Sequence, residues 1–149
     1  MKNKNVKLLL ILLLGLIVSR CVDKKVLNQK LLTACKQGNL NQVKELVDRG
    51  ADIESKDKYD TTALIWASRN GYLRIVKFLV SKGANINFKG KYNEIAVVNA
   101  AWKGNYEIVK YLVSKGAKNL GFTLLTIIRN RKKNRNKIIK FLLTKNFNV

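Results

Sequence analysis

The feature that most constrains the fold of this chain is an internal repeat with a period of 33 residues. One alanine position and two glycine positions recur at this spacing in three copies, namely Ala34, Ala67 and Ala100, then Gly38, Gly71 and Gly104, then Gly50, Gly83 and Gly116. Valine and leucine positions between the glycines keep the same spacing. Such a period is typical of stacked supersecondary units, each of which can bury its apolar face only against its neighbours.

The residues between the glycines predict a pair of helices in each copy. Apolar residues such as Val43 and Leu46 recur at helical spacing. Glycine suits the left-handed conformation that ends a helix, and the chain contains no proline, the strongest helix breaker. A cation precedes each closing glycine, where it meets the negative end of the helix dipole. The sequence therefore predicts an all-α solenoid.

The second copy of the repeat shows the most complete resemblance to a known family. Residues 57–68 (DKYDTTALIWAS), 71–80 (GYLRIVKFLV) and 83–87 (GANIN) resemble the ankyrin repeat, and the resemblance covers about residues 27–149. It implies helix–turn–helix units joined by β-hairpin-like loops, with repeats at about 27–59, 60–92, 93–122 and 123–149. The proline and histidine of the family's Thr-Pro-Leu-His are absent, so Ile65 and Val98, at the histidine position, are expected to gain stability by burial.

The fourth copy is degenerate and is expected to cap the solenoid. Residues 139–145 repeat residues 109–115 at an offset of 30, and residues 126–128 align with residues 96–98 at the same offset. We therefore expect three residues to be missing from the loop near 117–125. Asparagine then stands at the packing-alanine and turn-glycine positions, Asn130 and Asn134. A terminal repeat with a polar outer face would keep the solenoid soluble.

Residues 1–20 are predicted to be a signal peptide or anchor. A lysine-rich start precedes an apolar run from Leu8 to Val18, which is typical of a secretory signal. As a helix this run would reach about 16 Å, half of the ~30 Å hydrocarbon core, so a permanent membrane span is less favoured. We expect export from a bacterial cytoplasm to the periplasm, the medium or the membrane.

Residues 18–21 (VSRC) resemble the bacterial lipobox, in which the cysteine becomes lipidated, so Cys21 is a lipidation candidate. Arg20 departs from that pattern, and simple cleavage or an uncleaved anchor are the alternatives. Residues 21–26 are expected to form a short linker before the repeats.

Composition narrows the classes of function. Lys and Arg total 30 against 9 Asp and Glu, a net charge of +21, which favours acidic proteins or other polyanions as partners. The chain has no histidine and therefore no imidazole for acid–base catalysis or metal binding. We predict no catalytic residue, no metal site and no cofactor. Cys35 is predicted to be a packed small residue rather than a reactive thiol.

Ankyrin repeats bind proteins through hairpin tips and the ends of their first helices, so the resemblance assigns a partner-binding surface to those positions. The assigned residues are Lys56, Lys58, Tyr59 and Thr61, Lys89, Lys91, Tyr92 and Glu94, and Arg69, Asn70, Trp102 and Lys103, with Lys36 and Gln37 in the first copy. Exposed aromatic residues anchor interfaces; alternatively, the tyrosines pack across neighbouring hairpins. Trp66 is expected to be half-buried and Trp102 more exposed. The leading hypothesis is a monomeric, non-enzymatic scaffold for an acidic protein partner.

The densest basic run covers residues 129–137 and supplies the second hypothesis. Its candidate anion-binding residues are Arg131, Lys132, Lys133, Arg135 and Lys137. They could bind a polyanion or an anionic membrane surface, although a solvated cap without a binding role is favoured. Nucleic acid is disfavoured as a partner because an exported protein rarely meets it.

Overall fold

The computed structural model describes residues 23–129 and 135–146, and eight helices lie within these ranges. They are α1 (23–37), α2 (Leu40–Asp48), α3 (Ala63–Asn70), α4 (Leu73–Ser81), α5 (Ala96–Lys103), α6 (Tyr106–Ser114), α7 (Leu120–Arg129) and α8 (Asn136–Asn146). The β-structure of the described residues is a single bridge between Lys56 and Thr62. The all-α prediction is confirmed.

The first helix of each pair packs in one layer and the second helix in another. Contacts join α3 to α5 and α5 to α7 in the first layer, and α2 to α4, α4 to α6 and α6 to α8 in the second. Ala34, Ala67 and Ala100 are each 0% exposed, so the small residues lie in the core where neighbouring helices approach closely. Ile65 and Val98 are buried as expected.

Helix ends follow the local chemistry of the repeat. The helices α3 and α5 end at Gly71 (φ 87°) and Gly104 (φ 84°), both left-handed as predicted. The N-terminus of α3 is capped by Thr62, whose hydroxyl accepts a hydrogen bond from the N–H of Ile65 at 3.4 Å. Thr62 therefore provides a hydrogen-bond acceptor for a free N–H at the start of α3, although the family's histidine is missing.

Cys35 lies in the core at the end of α1. It is 0% exposed, and burial raises the pKa of its thiol to about 12. A thiol in that state is neutral and a weak nucleophile. The prediction of a packed small residue is confirmed.

The linker prediction is wrong for residues 23–26, which are helical and belong to α1. No glycine or proline interrupts residues 23–37, and Leu27 packs against the core. The helix therefore continues through the segment that sequence alone left outside the repeat. None of the helices in the described ranges is long and apolar enough to cross a membrane.

The predicted register of the fourth copy is correct for α8 and wrong for α7. In α8, Ile138 is buried like Ile108 of α6, at the expected offset of 30. In α7, Thr123 and Ile127 are buried like Ala96 and Ala100 of α5, an offset of 27. The chain therefore enters α7 directly after residue 119, without a hairpin. The helix α8 begins at Asn136, seven residues after the last residue of α7, whereas α6 begins three residues after the last residue of α5. Ile127, not residue 130, occupies the packing-alanine position.

The predicted polar outer face of the last repeat is also wrong for α7. Leu125 and Ile128 are 69% and 44% exposed. Their side chains lie on the side of the helix that the next repeat covers in the earlier copies.

Candidate partner-binding surface

The first hairpin connects α2 to α3 and is closed by backbone hydrogen bonds. The N–H of Asp60 donates to the carbonyl of Asp57 at 3.0 Å, and the N–H of Asp57 donates to the carbonyl of Thr61 at 3.2 Å. Asp60 has φ of 57°, the left-handed conformation that follows the turn in this hairpin type. The Asp57 carboxylate also accepts the N–H of Tyr59 at 2.9 Å. These bonds fix Tyr59 at the tip.

The second hairpin repeats this geometry one period later. The N–H of Asn93 donates to the carbonyl of Gly90 at 3.1 Å, the N–H of Gly90 donates to the carbonyl of Glu94 at 2.9 Å, and Asn93 has φ of 58°. A Cβ on Gly90 would lie 3.0 Å from the carbonyl oxygen of Asp60, so glycine is what lets the two tips touch. Tyr92 therefore occupies the same turn position as Tyr59.

Both tip tyrosines are accessible, at 46% for Tyr59 and 69% for Tyr92. The alternative prediction, packing across neighbouring hairpins, does not describe Tyr92. The ammonium of Lys58 lies 4.9 Å from the Tyr59 ring centre, and that of Lys56 lies 4.4 Å from the ring of Phe88. Lys89 and Lys91 are exposed beside Tyr92. The two tips thus form a continuous aromatic and cationic surface.

A polar network joins the first hairpin to the first helices. The indole N–H of Trp66 donates to Asp57 Oδ2 at 2.9 Å, and Lys36 Nζ lies 3.4 Å from the same oxygen. Burial alone would raise the pKa of Asp57, but the N–H groups of Tyr59, Trp66 and Thr61 and the Lys36 ammonium together hold that pKa below its usual value. Asp57 is therefore an ionised support for the hairpin. Sequence reasoning did not identify this role.

Three residues assigned to the partner surface connect neighbouring repeats. The Thr61 hydroxyl is buried and donates to Glu94 Oε2 at 2.7 Å, and Arg69 Nη1 lies 3.6 Å from Glu94 Oε1. Thr61 cannot reach a partner, because its side chain points at the next hairpin. The signal was available in the sequence: Thr61 and Glu94 are one repeat period apart.

The ends of the first helices are accessible. Asn70 is exposed, although its amide also donates to the Lys36 carbonyl at 3.0 Å. The charged groups of Lys36 and Arg69 both lie near the Trp66 indole, at 4.3 Å and 5.4 Å from its centre. Trp66 is half-buried and Trp102 is 38% exposed, as expected, with Lys103 exposed beside it.

The basic run is only partly described. Arg131, Lys132 and Lys133 lie outside the described residues, as do the signal segment 1–20 and Cys21. Lys137 is exposed, with its ammonium 4.3 Å from the Tyr106 ring centre.

The assignment of Arg135 to an anion site is wrong. Arg135 is 3% exposed, donates a hydrogen bond to the Trp102 carbonyl, and places its guanidinium 5.0 Å from the Trp102 ring centre. The side chain lies between the last two helix pairs and is not accessible to an anion in solution.

Sequence reasoning missed a groove at the C-terminal end of the first-helix layer. The groove has a volume of about 550 Å³ and is lined by Trp102, Phe122, Leu125, Thr126 and Arg129. The groove could not be predicted with the offset of 30 for α7, because that offset does not place Leu125 at a stacking position. Within the described ranges, no three His, Cys, Asp or Glu side chains are grouped so as to hold a metal ion.

Comparison with known proteins adds one positive finding. A family model described as ankyrin repeats (3 copies) matches residues 1–90 and residues 31–123. No curated protein matches the chain. Most of the sequence lies within the matched ranges, and the stacked helix pairs and matched hairpins agree with them. The chain therefore belongs to the ankyrin-repeat family.

Proposed function

We propose that the protein is a binding scaffold that uses its two hairpin tips to hold an acidic protein. Ankyrin repeats are generally protein–protein interaction scaffolds and are typically non-enzymatic, which is the coarse function. The observation that carries the finer proposal is the pair Tyr59 and Tyr92, placed by identical turns and left largely exposed. Tyrosine supplies a large contact area with few rotatable bonds and is enriched among interface hot spots.

Charge on this surface supports an acidic partner. Asp57 and Glu94 are already engaged within the chain, by Lys36 and by Arg69. Lys58, Lys89 and Lys91 are exposed around the tips. A partner would therefore meet mainly positive charge, which speeds encounter and selects against basic proteins.

Affinity capture from an extract of the host, followed by quantitative mass spectrometry, tests this surface. Replacing Tyr59 and Tyr92 together by alanine should lower recovery of the main partner at least about tenfold, since central aromatic anchors are worth about 2 kcal/mol or more each. Lys58→Glu with Lys91→Glu should do likewise. Lys44→Glu with Lys110→Glu, on the outer helices, changes the charge equally and should leave recovery unchanged. Equal recovery with all three double variants would contradict the proposal.

We also propose that residues 1–20 export the chain and that Cys21 carries a lipid after cleavage. The lysine-rich start, the apolar run and the VSRC segment support this. Mass spectrometry of the protein recovered from the native envelope should show an N-terminus at Cys21 with the added mass of acyl chains, and Cys21→Ser should abolish that mass. Recovery of an unmodified chain that begins at Met1 in the cytoplasmic fraction would contradict both steps.

The hypothesis of polyanion binding through the basic run is weaker. Arg135, one of its five candidate residues, is buried against Trp102. The hairpin tips are therefore the preferred surface.

A further inference from the structure

The burial pattern of α7 follows that of α3 and α5 except on one side. Leu64, Val97 and Leu124 are all buried at one position of the repeat. At the next position Ile65 and Val98 are buried, whereas Leu125 is 69% exposed.

A second position changes in the same way. Ser68 and Ala101 are 0% exposed, whereas the equivalent Ile128 is 44% exposed. Both changed positions belong to the side that faces the following repeat.

In the earlier copies this side is covered by a helix. The helix α5 packs against α3, and α7 packs against α5. The exposed side of α7 is therefore a stacking face built to accept another helix. Leu125 and Ile128 are three residues apart and so lie on one helix face.

The stacking face continues into the groove beside Trp102. Phe122 and Trp102 are 47% and 38% exposed there. A groove of about 550 Å³ with aromatic and aliphatic walls can take the apolar stripe of an amphipathic helix. Contiguous exposed apolar surface of this kind marks an interaction site.

Charge around the stacking face indicates what sort of helix binds. Among the described residues from Ile95 onward, nine are cations and one, Glu107 of α6, is an acid. Arg129 lines the groove itself, and Lys103 follows Trp102. A second copy of this chain would bring the same cations together across a two-fold interface, where like charges are costly. An acidic helix would be attracted.

We propose that the stacking face of α7, with Leu125 and Ile128 at its centre and Arg129 at its rim, binds an acidic amphipathic helix of another protein. The helix occupies the place that the first helix of a further repeat would take. This site is separate from the hairpin tips and does not depend on Tyr59 or Tyr92.

Fluorescence anisotropy with a defined peptide tests the proposal. The probe is a synthetic helix of about 16 residues, between four and five turns, with leucine and alanine on one face and glutamate on the other. It should bind the full chain saturably, and added salt should weaken binding. Leu125→Lys and Ile128→Lys should each weaken it about tenfold or more, since a buried apolar anchor is replaced by a charge.

Matched controls define the site. Val26 of α1 is also an exposed apolar residue, at 45%, but lies at the other end of the stack, so Val26→Lys should bind like the wild type. A peptide of the same composition with its leucines scattered around the helix should not bind. The Tyr59→Ala, Tyr92→Ala variant should bind the probe normally, so failure of the hairpin proposal and failure of this one are distinguishable.

Four outcomes would overturn the proposal. One is binding that Leu125→Lys does not weaken, and a second is loss of folding in that variant by circular dichroism. A third is a wild-type dimer in sedimentation that Leu125→Lys dissociates, which would make the face a self-interface. The fourth is failure of the probe to bind while vesicles of phosphatidylcholine and phosphatidylglycerol retain the wild type but not Leu125→Lys.

Discussion

The two ends of the described stack differ in the residues that they leave uncovered. At the N-terminal end, Lys30 of α1 is exposed at the position where Ala63 and Ala96 are buried in the next two copies. At the C-terminal end, Leu125 and Ile128 of α7 are exposed and apolar. The first end has exchanged its packing residue for a charge, whereas the second has kept the residues of an interior repeat.

This difference shows that an uncovered position does not by itself produce a polar cap. Lys30 suits contact with water, because its ammonium stays solvated. Leu125 and Ile128 gain nothing from water and suit a partner that removes them from it. The ends therefore offer different surfaces, and substitutions at matched positions test this comparison.

The largest effect is expected from lysine at the stacking position. Val98→Lys buries a charge without a partner and should lower the free energy of unfolding by at least about 4 kcal/mol, or prevent folding. Leu125→Lys, at the equivalent position of α7, should change it by less than about 0.5 kcal/mol. Urea denaturation followed by circular dichroism measures both values.

Alanine substitutions at the same two positions make the comparison if Val98→Lys does not fold. Val98→Ala should cost about 1–3 kcal/mol, and Leu125→Ala less than about 0.5 kcal/mol. Equal costs for the two alanine variants would show that α7 is covered, contrary to the structure.

The next effect concerns a hairpin, which the interior has and the entry to α7 lacks. Asp57→Ala removes the acceptor for the N–H groups of Tyr59, Thr61 and Trp66 and should cost about 2–3 kcal/mol. Asp48→Ala removes an exposed carboxylate and should cost at most about 0.5 kcal/mol. Thermal and urea denaturation at pH 7 compare the two variants.

Asp57 should also make stability depend on pH. Its folded pKa lies below the unfolded value of about 3.9, so its contribution is present above about pH 4 and is lost as the pH falls through the folded pKa. Asp57→Asn should show a smaller loss of stability between about pH 5 and about pH 2. If the free energy of unfolding falls with pH equally in the wild type and in Asp57→Asn, the Asp57 carboxylate does not cause the pH dependence.

A smaller effect is expected from the hydrogen bonds that join successive loops. Glu54 Oε1 accepts the N–H of Asn85 at 2.8 Å, and one period later Asn87 Oδ1 accepts the N–H of Lys118 at 2.7 Å. Glu54→Ala should cost about 1 kcal/mol, and Asn87→Ala should cost more, because the Asn87 amide also donates to the Gly116 carbonyl at 3.1 Å. The N–H of Asn87 donates to the Asn85 side chain at 3.0 Å, so a double-mutant cycle in urea should show coupling between the two bonds.

The smallest effect should be a gain. The hydroxyl of Ser68 is buried and has no hydrogen-bond partner among the described residues, whereas the equivalent positions hold Cys35 and Ala101. Ser68→Ala should raise the free energy of unfolding by up to about 1 kcal/mol. Ser81→Ala, which removes an exposed hydroxyl donating to Phe78 at 2.7 Å, should not raise it. A destabilised Ser68→Ala variant would indicate a partner for the hydroxyl.

Sequence alone predicted the interior repeats because each repeated residue meets a local requirement. The turn glycines need positive φ, and Ala34, Ala67 and Ala100 need small volume where helices approach closely. The same requirement placed Cys35 in the core. These requirements recur at every period and so can be read without the fold.

The C-terminal pair was not predictable in the same way. Relative to the period of 33, α7 lies at an offset of 27 and α8 at 30, so a long deletion before α7 is partly compensated by a longer connection after it. Aligning α8 with α6 gives only the net offset of 30, and this value does not reveal the offset of 27 at α7. Arg135 resembles the rest of the basic run, and only its tertiary contact with Trp102 buries it.

Thiol labelling at one repeat position tests the difference between interior and end most directly. In a Cys21→Ser background, cysteine would replace Ile65, Val98 or Leu125, and the rate of iodoacetamide labelling would be measured under native conditions. Leu125→Cys should react at a rate close to that of the unfolded chain, and Ile65→Cys and Val98→Cys more than about 100-fold slower, because they react only when the stack opens. Leu125→Cys that reacts as slowly as Val98→Cys would contradict the account.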